Sequence, residues 1–425
     1  MSKLRKSLNI LYVGTLPPHP GGSAISCSQL IIGFAQLGHT VRALAPITAE
    51  ALRSGDVFAA RHPEIGVTRF QVPYFETTPY ISPSDEYRRL EREQIQKELL
   101  TLIAKRRPDI IFIGRETFAW HVPDLARTQS LHCILRIAGN PTLGILNGTY
   151  PAPLAQQLLE QYRKASFIVT PAEHLAEGLR QFGIQNIKTI LNAVDLQQFS
   201  PTPKDSALLR ELTLRDDDII VVHAANLKTV KRPLDVIQSA EKALQQNPKL
   251  VYVIVGDGTL RGTMEDACRQ KHISENFRFV GWIDYPNVQD YINLADIVVM
   301  PSEAEGLARV YLETQACGRL LLASDIPPAR EVIVDGETGL LFRKGDINDL
   351  TAKILLAAGD PNLRTEIGCK ARERVKVHSI DNAVAAYVAT FEDIIQQQRE
   401  YNEDFLLTIL HYLRPDAKCS EEYRH

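Results

Sequence analysis

Three cations crowd one short stretch of the chain, Asn226-Leu227-Lys228-Thr229-Val230-Lys231-Arg232-Pro233. The closing proline suits the first position of a helix. Cations just before a helix oppose its dipole at about 0.3–1 kcal/mol each, so the stretch calls for a compensating anion. A diphosphate would supply it, accepting from Lys228, Lys231 and the helix amides. A merely solvated basic turn is the competing reading.

A second cluster is acidic. Pro301-Ser302-Glu303-Ala304-Glu305-Gly306 follows an apolar run, Ile297 to Met300, and precedes a helical stretch that carries Glu313. With a helix beginning near Gly306, Glu305 and Glu313 would stand roughly 12 Å apart along its axis. That separation lets two carboxylates serve different parts of one nucleotide sugar, and Gly306 lets a ligand approach the backbone. The plainer alternative makes Glu305 a first-turn acid and Glu313 a solvated residue. A third signal is Pro20-Gly21-Gly22-Ser23, a glycine turn with Ser23 as a candidate N-cap. Gly256-Asp257-Gly258 with Gly262 misses the dinucleotide spacing and reads as a turn.

The elements that must position these residues alternate strand and helix. Asn9 to Val13 reads as a buried strand, Ser23 to Gly38 as a helix, and Thr40 to Ala45 as the next strand. A charged helix from Glu86 to Arg107 runs into a strand at Asp109 to Ile113, with further strands near Cys133 to Ile137, Ser166 to Val169 and Lys188 to Leu191. Asn192 to Lys204 reads as a linker. The pattern then restarts with strands at Asp218 to His223, Leu250 to Val255, Arg278 to Val280, Ile297 to Met300 and Leu320 to Ala323, with a helix at Pro233 to Gln246. A last helix is expected from Asp381 to Arg399, followed by a mostly helical tail. The expected fold is α/β, two Rossmann-like doubly wound parallel-sheet domains facing a central cleft. Residues 1–200 form the N-terminal domain and 201–379 the C-terminal one, and helices in 380–425 cross back to the first.

At 425 residues two such cores are the natural division. A net charge of -3 removes any global attraction to nucleic acid, so anion binding must be local. The six cysteines are dispersed without metal-ligand spacing, which fits a reducing compartment. No apolar run approaches the roughly 20 residues that span a bilayer. The expectation is therefore a cytoplasmic protein. Peripheral contact at the inner membrane face is a second reading, raised by Arg88, Arg89, Arg92, Lys97, Lys105, Arg106 and Arg107 around one helix. Interleaved glutamates favour a solvated, salt-bridged face instead.

At these residues the chain resembles the retaining glycosyltransferases of family four, glycosyltransferase group 1, which have the GT-B fold. Glu305 and Glu313 fit the family's E-x7-E pattern, Asp335-Gly336-Glu337-Thr338-Gly339-Leu340 its D-G-x-T-G-L segment, and Asn192-Ala193-Val194-Asp195 through Pro201 its hinge. Pro20-Gly21-Gly22 is similar to its N-domain glycine loop. The resemblance implies that Glu305, with the backbone of Gly306 and Leu307, holds the transferred sugar, that Glu313 holds the ribose, and that Lys228 with Lys231 neutralises the diphosphate. Asn226 stands where the family carries an arginine. The loop is similar to the N-F-R-x-V-K-R variant of N-acetylglucosaminyl-malate synthases, in which Lys228 would take the arginine's part. Where the family reads E-G-F-G-L, this chain has Glu305-Gly306-Leu307-Ala308-Arg309, and Arg309 is expected to alter the sugar pocket. Pro327-Pro328-Ala329-Arg330-Glu331-Val332 replaces the glycines before P-E-V. The N-domain His-Gly-x-Asp segment is absent, with Arg136-Ile137-Ala138-Gly139-Asn140-Pro141 in its place. His121, Arg136 and Asn140 are the acceptor-side candidates, each with a structural alternative.

The function expected is transfer of a hexose or N-acetylhexosamine from a nucleotide diphosphate sugar, a UDP-sugar first, to a hydroxyl on a small-molecule, glycan or lipid-linked acceptor. No metal and no cofactor are expected, because Asp216-Asp217-Asp218 reads as a solvated turn. The rival readings are an NAD-dependent Rossmann oxidoreductase, which the missing Gly-x-Gly-x-x-Gly weakens, and a non-catalytic sugar-nucleotide-binding protein.

Overall fold

Strands buried on both faces demand helices on both faces, and the apolar runs of this chain are of that kind. The computed structural model describes residues 7–75 and 85–412. Its first sheet holds β1 (Asn9–Val13), β2 (Thr40–Thr48), β3 (Gly66–Val72), β4 (Ile110–Ile113), β5 (Cys133–Arg136), β6 (Phe167–Thr170) and β7 (Ile187–Thr189). They are parallel in the order β3-β2-β1-β4-β5-β6-β7. The second sheet holds β8 (Ile219–Ala224), β9 (Leu250–Val255), β10 (Phe277–Gly281), β11 (Ile297–Met300), β12 (Leu320–Ser324) and β13 (Leu340–Phe342), parallel in the order β10-β9-β8-β11-β12-β13. All five residues of β1 and all six of β9 are buried.

Each sheet reverses its strand order once, between β1 and β4 in the first and between β8 and β11 in the second. In open α/β sheets the loops leaving the strands at such a reversal diverge and open a crevice. The basic stretch leaves β8 and the acidic stretch leaves β11, so the fold delivers both to one crevice. The glycine turn leaves β1 and the Gly114-Arg115-Glu116 stretch leaves β4, at the matching place in the other domain.

β3 and β13 have no counterpart in the sequence reading. Both lie at a sheet edge, β3 mixes exposed and half-buried positions with two buried ones, and β13 is only three residues long, so neither presents an apolar run long enough to read as a strand. The last helix is longer than expected, Ile380–Tyr412, and the remainder of the expected helical tail, residues 413–425, lies outside the described residues. That helix packs on the N-terminal sheet. Phe391 meets Phe34 at 5.3 Å between ring centroids, and Tyr387 meets Phe112 at 5.4 Å. Gly33 makes room for it, since a Cβ there would lie 2.4 Å from Val384 Cγ2. The helix Asp85–Lys105 buries Ile95 and Leu99 while Arg89, Arg92 and Lys97 stay exposed. Among the described residues no helix is long and apolar enough to cross a membrane.

Candidate active site

The loop after β8 is fixed by what its neighbours accept. Leu227 is fully buried, its N–H donates to Asp257 O at 2.9 Å, and Leu260 N donates to its carbonyl at 3.0 Å. The Gly256-Asp257-Gly258 turn can lie this close because its two glycines lack Cβ atoms. One on Gly256 would sit 2.0 Å from Ala225 O, and one on Gly258 would sit 2.8 Å from Asn226 Oδ1. The turn is therefore a buttress that shapes the basic loop. Thr229–Lys231 then form a single 3-10 turn, and Arg232, at φ 48°, opens the helix Pro233–Leu244 with proline at its start.

The three cations divide their work. Arg232 is taken up locally, donating to Asp235 Oδ2 at 2.7 Å and to Glu303 Oε2 at 3.0 Å, with Lys344 pairing the same glutamate. Lys231 reaches the acidic loop, where its ammonium meets Glu305 Oε1 at 2.5 Å. Lys228 is half-buried, and among the described residues its ammonium has no ion-pair partner. The two loops are laced by a backbone bond from Glu303 N to Val230 O at 2.8 Å. Glu305 is 8% exposed and also accepts from the buried Ser302 hydroxyl at 2.7 Å.

The helix carrying Glu313 runs Arg309–Ala316, three residues later than the sequence reading put its start. Glu305 and Gly306 therefore lie on the approach loop, and the expected spacing along a common helix axis does not hold. The loop stays extended because it is held from outside. Glu303 N is bound to Val230, Leu307 O accepts from Asn192 Nδ2 at 2.9 Å, and Gly306 lies against Gly139 of the other domain. A Cβ on either glycine would come within 3.2 Å of the other's Cα. Glu313 is buried, not solvated, and its Oε1 accepts from Arg309 Nε at 3.2 Å. Burial pushes its carboxyl pKa up, against the pull of Arg309 and then Tyr285.

On the N-terminal side the helix Gly22–Gln36 begins at Gly22, and its cap is Gly21 at φ 102°. Ser23 is thus inside the helix and does not cap it. Among the described residues no side chain caps those first amides. Gly22 O accepts from Arg309 Nη1 at 3.3 Å.

Two of the acceptor-side candidates are buried. His121 is 3% exposed, its Nε2 lying 3.0 Å from Glu91 Oε2. Arg136 is 4% exposed and donates to Asn192 Oδ1 at 2.8 Å, beneath the chain crossing between the domains. Both sit in the interior, where His121 holds Glu91 and Arg136 props the asparagine that binds Leu307 O. Asn140 opens the helix Asn140–Leu146, and its side chain lies outside the described residues. A small cleft of about 250 Å³ does open where β1 and β4 diverge, lined by Thr15, His19, Pro46, Glu91, Arg115 and Phe118. None of these was picked out from sequence.

Glu116 was missed as well. Fully buried, it accepts from Ala138 N at 2.8 Å, Gly139 N at 2.9 Å and the Thr142 hydroxyl at 3.3 Å. Glu331, from the segment that replaces the family's glycines, crosses the domains to accept from Glu173 N at 2.7 Å and His174 N at 3.2 Å. Among the described residues no cluster of His, Cys, Asp and Glu could hold a metal ion, and Asp217 of the acidic turn pairs with Lys249.

His223, at the end of β8, titrates abnormally. Its Nδ1 lies 2.9 Å from Val299 O, which can only accept, so Nδ1 carries the proton, and the buried Nε2 has no hydrogen-bond partner among the described residues. Burial lowers its pKa from 6.5 to about 4, with Lys231 adding to the effect and Val299 and Glu305 opposing it. His19 is likewise lowered to about 4 by burial and by Arg115. An unfolded histidine takes up its proton near pH 6.5, so between pH 6.5 and about 4 the unfolded chain binds more protons than the folded one. Stability must then fall as pH falls through that window, by about 2 kcal/mol at pH 5 for a fully buried histidine. The urea midpoint should drop between pH 7 and pH 5, and His223→Asn should flatten the drop. An unchanged pH dependence in the variant would remove His223 as a cause.

Comparison with known proteins places the chain among sugar transferases. Residues 20–198 match the family described as Glycosyltransferase Family 4, and residues 205–374 match Glycosyl transferases group 1. An N-acetyl-alpha-D-glucosaminyl L-malate synthase of Bacillus anthracis is 27% identical over 217 residues, 51% of this chain and 56% of that protein. A D-inositol 3-phosphate glycosyltransferase of Kribbella flavida is 26% identical over 271 residues, 60% of this chain and 62% of that protein. The matched stretches thus span less than two thirds of these relatives' length. In fold, the chain is similar to Anabaena Alr3699/HepE, solved in complex with UDP and glucose, with a TM-score of 0.74 at 16% identity over 91% of this chain and 100% of the other.

Proposed function

Since the chain belongs to the family-four, group 1 glycosyl transferases, we propose that it is a retaining glycosyltransferase that moves a hexose or N-acetylhexosamine from a UDP-sugar to a hydroxyl acceptor without a metal. The observation that carries this reading is the meeting of Lys231 and Glu305 at the β8/β11 crossover, 2.5 Å apart, with the half-buried Lys228 on the same loop. Glu305 takes the sugar hydroxyls and Gly306 and Leu307 offer backbone to it. Lys228 and Lys231 receive the diphosphate, with the open amides at Gly21 and Gly22 across the cleft, and Glu313 takes the ribose. Asn226 lies at the exposed rim of that loop.

In the proposed reaction the bond from the anomeric carbon to the diphosphate oxygen breaks first, through an oxocarbenium-like transition state. Charge grows on the leaving oxygen, and cations already in place stabilise it more as the bond lengthens. The acceptor hydroxyl attacks from the same face and passes its proton to the departing phosphate, so no protein base is assigned. Acceptors approach from the N-terminal domain.

The similar Anabaena protein was solved with UDP, with UDP and glucose, and with UDP-glucose, which puts UDP first. A curated relative from Corynebacterium glutamicum is named as GDP-mannose-dependent, which makes GDP the necessary control. Thermal shift with UDP, GDP, ADP and NAD in EDTA, followed by product analysis with the winning sugar, tests the reading. A ligand at 100 times its Kd adds about 2.7 kcal/mol of stability. Stabilisation by NAD alone, or transfer with inverted anomeric configuration, would refute it.

A further inference from the structure

Arg309 stands where the family pattern carries an aliphatic residue, and its contacts span both domains. As the first residue of the helix Arg309–Ala316 it opposes that helix's dipole, so its position needs a reason beyond the helix. The guanidinium divides its donors. Nε goes to Glu313 Oε1 at 3.2 Å, Nη1 to Gly22 O at 3.3 Å, and Nη2 to Gln29 Oε1 at 3.3 Å and to the Tyr285 hydroxyl. Its face lies 4.5 Å from the centre of the Tyr285 ring. The pair is largely shut from water, with 12% of the Arg309 side chain and 6% of the Glu313 side chain exposed.

We propose that Arg309 is the positioning residue of a ribose subsite built from both domains, bracing the Glu313 carboxylate for the ribose hydroxyls and tying it to the first turns of the helix Gly22–Gln36. The inference rests on the proposed role of Glu313 and goes beyond it. A buried carboxylate accepts hydroxyls well only while ionised and held in one orientation, and the guanidinium does both. Its two remaining nitrogens engage Gly22 and Gln29 of the other domain as well as Tyr285, so the brace is complete only when the domains meet. Nucleotide binding and domain closure then become one equilibrium. The sequence span is 280 residues from Arg309 to Gln29, which is why no local pattern announced it.

The test is titration calorimetry of the full chain with UDP and with 2′,3′-dideoxy-UDP, and with the guanine pair in parallel. The wild type should prefer the intact ribose by roughly 10- to 100-fold. In Arg309→Leu the preference should collapse to within about threefold of one, because the coupling between hydroxyls and carboxylate is lost. Arg309→Lys should keep part of it, since one ammonium can pair Glu313 but cannot fork to the other domain. Gln29→Ala, which leaves the Arg309–Glu313 contact in place, should reduce it partway and serves if the leucine variant fails to fold. Equal weakening of both nucleotides in Arg309→Leu, with the preference intact, would make Arg309 a plain interdomain strut and overturn the inference. A wild type that binds UDP or GDP without discriminating the ribose hydroxyls would instead overturn the role of Glu313. Binding neither nucleotide would overturn the donor reading and this inference together.

Discussion

Lys231→Ala is expected to lower sugar transfer by roughly 10²- to 10³-fold at saturating donor, the usual cost of losing one preorganised stabiliser of transition-state charge. The lysine does two things, and the variant must separate them. Its ammonium is placed to receive the leaving diphosphate, and it is also the cation beside Glu305, which is 8% exposed. Removing it leaves Glu305 with the Ser302 hydroxyl at 2.7 Å as its remaining side-chain donor. Breaking a fully buried pair costs about 3–5 kcal/mol. With 22% of the Lys231 side chain exposed, about 2 kcal/mol is the reasonable figure here. Pairing Lys231→Met with Glu305→Gln should restore most of the stability, because neither charge is left buried alone. It should restore none of the turnover. Glu305→Ala should be as inactive while keeping its fold. Near-normal rates in either single variant, measured with UDP-sugar and a competent acceptor, would contradict the roles assigned to both residues.

The residues of that pair were legible before any coordinates because each sits where a strand hands over to a helix, and the chemistry of that boundary is local. Lys228, Lys231 and Glu305 announce themselves by charge beside a run of buried β-branched residues. The two sheets were legible for the same reason, since β9 and β11 are apolar throughout and β8 is apolar apart from His223. What failed was whatever the docking of two domains decides. The helix carrying Glu313 begins at Arg309 because Glu303, Gly306 and Leu307 are claimed by Val230, Gly139 and Asn192, and none of those partners is a sequence neighbour. Glu331 looks like an ordinary helical acid until it is seen to cap amides 158 residues away. His121 and Arg136 drew notice because a histidine and an arginine can do chemistry. Their burial against Glu91 and Asn192 depends on packing that residue type does not encode. Edge strands such as β3 escape for a different reason, because one sheet neighbour and a half-wet face dilute the apolar signal.

The second large effect is expected at a residue with no sequence signal, Glu116. Its carboxylate, reached by no solvent, accepts from two backbone amides and one hydroxyl at the turn into the helix Asn140–Leu146. Those amides belong to Ala138 and Gly139, and Gly139 at φ 116° is the residue that Gly306 touches. Glu116→Ala removes both acceptor oxygens, and each orphaned buried donor costs about 1–3 kcal/mol. With the cavity added, the loss of stability should be about 3–5 kcal/mol, readable as a lower urea midpoint. Glu116→Gln is the sharper substitution, because it keeps the volume but offers one oxygen where two amides point, and its own N–H₂ must face a donor. If this turn positions Gly306, the glutamine variant should lose turnover well beyond its loss of folded fraction at 20 °C, and beyond its loss of UDP affinity, since Lys228, Lys231 and Glu313 lie on the other domain. Full activity in a destabilised glutamine variant would confine Glu116 to the fold and leave the Gly139–Gly306 contact without a part in transfer.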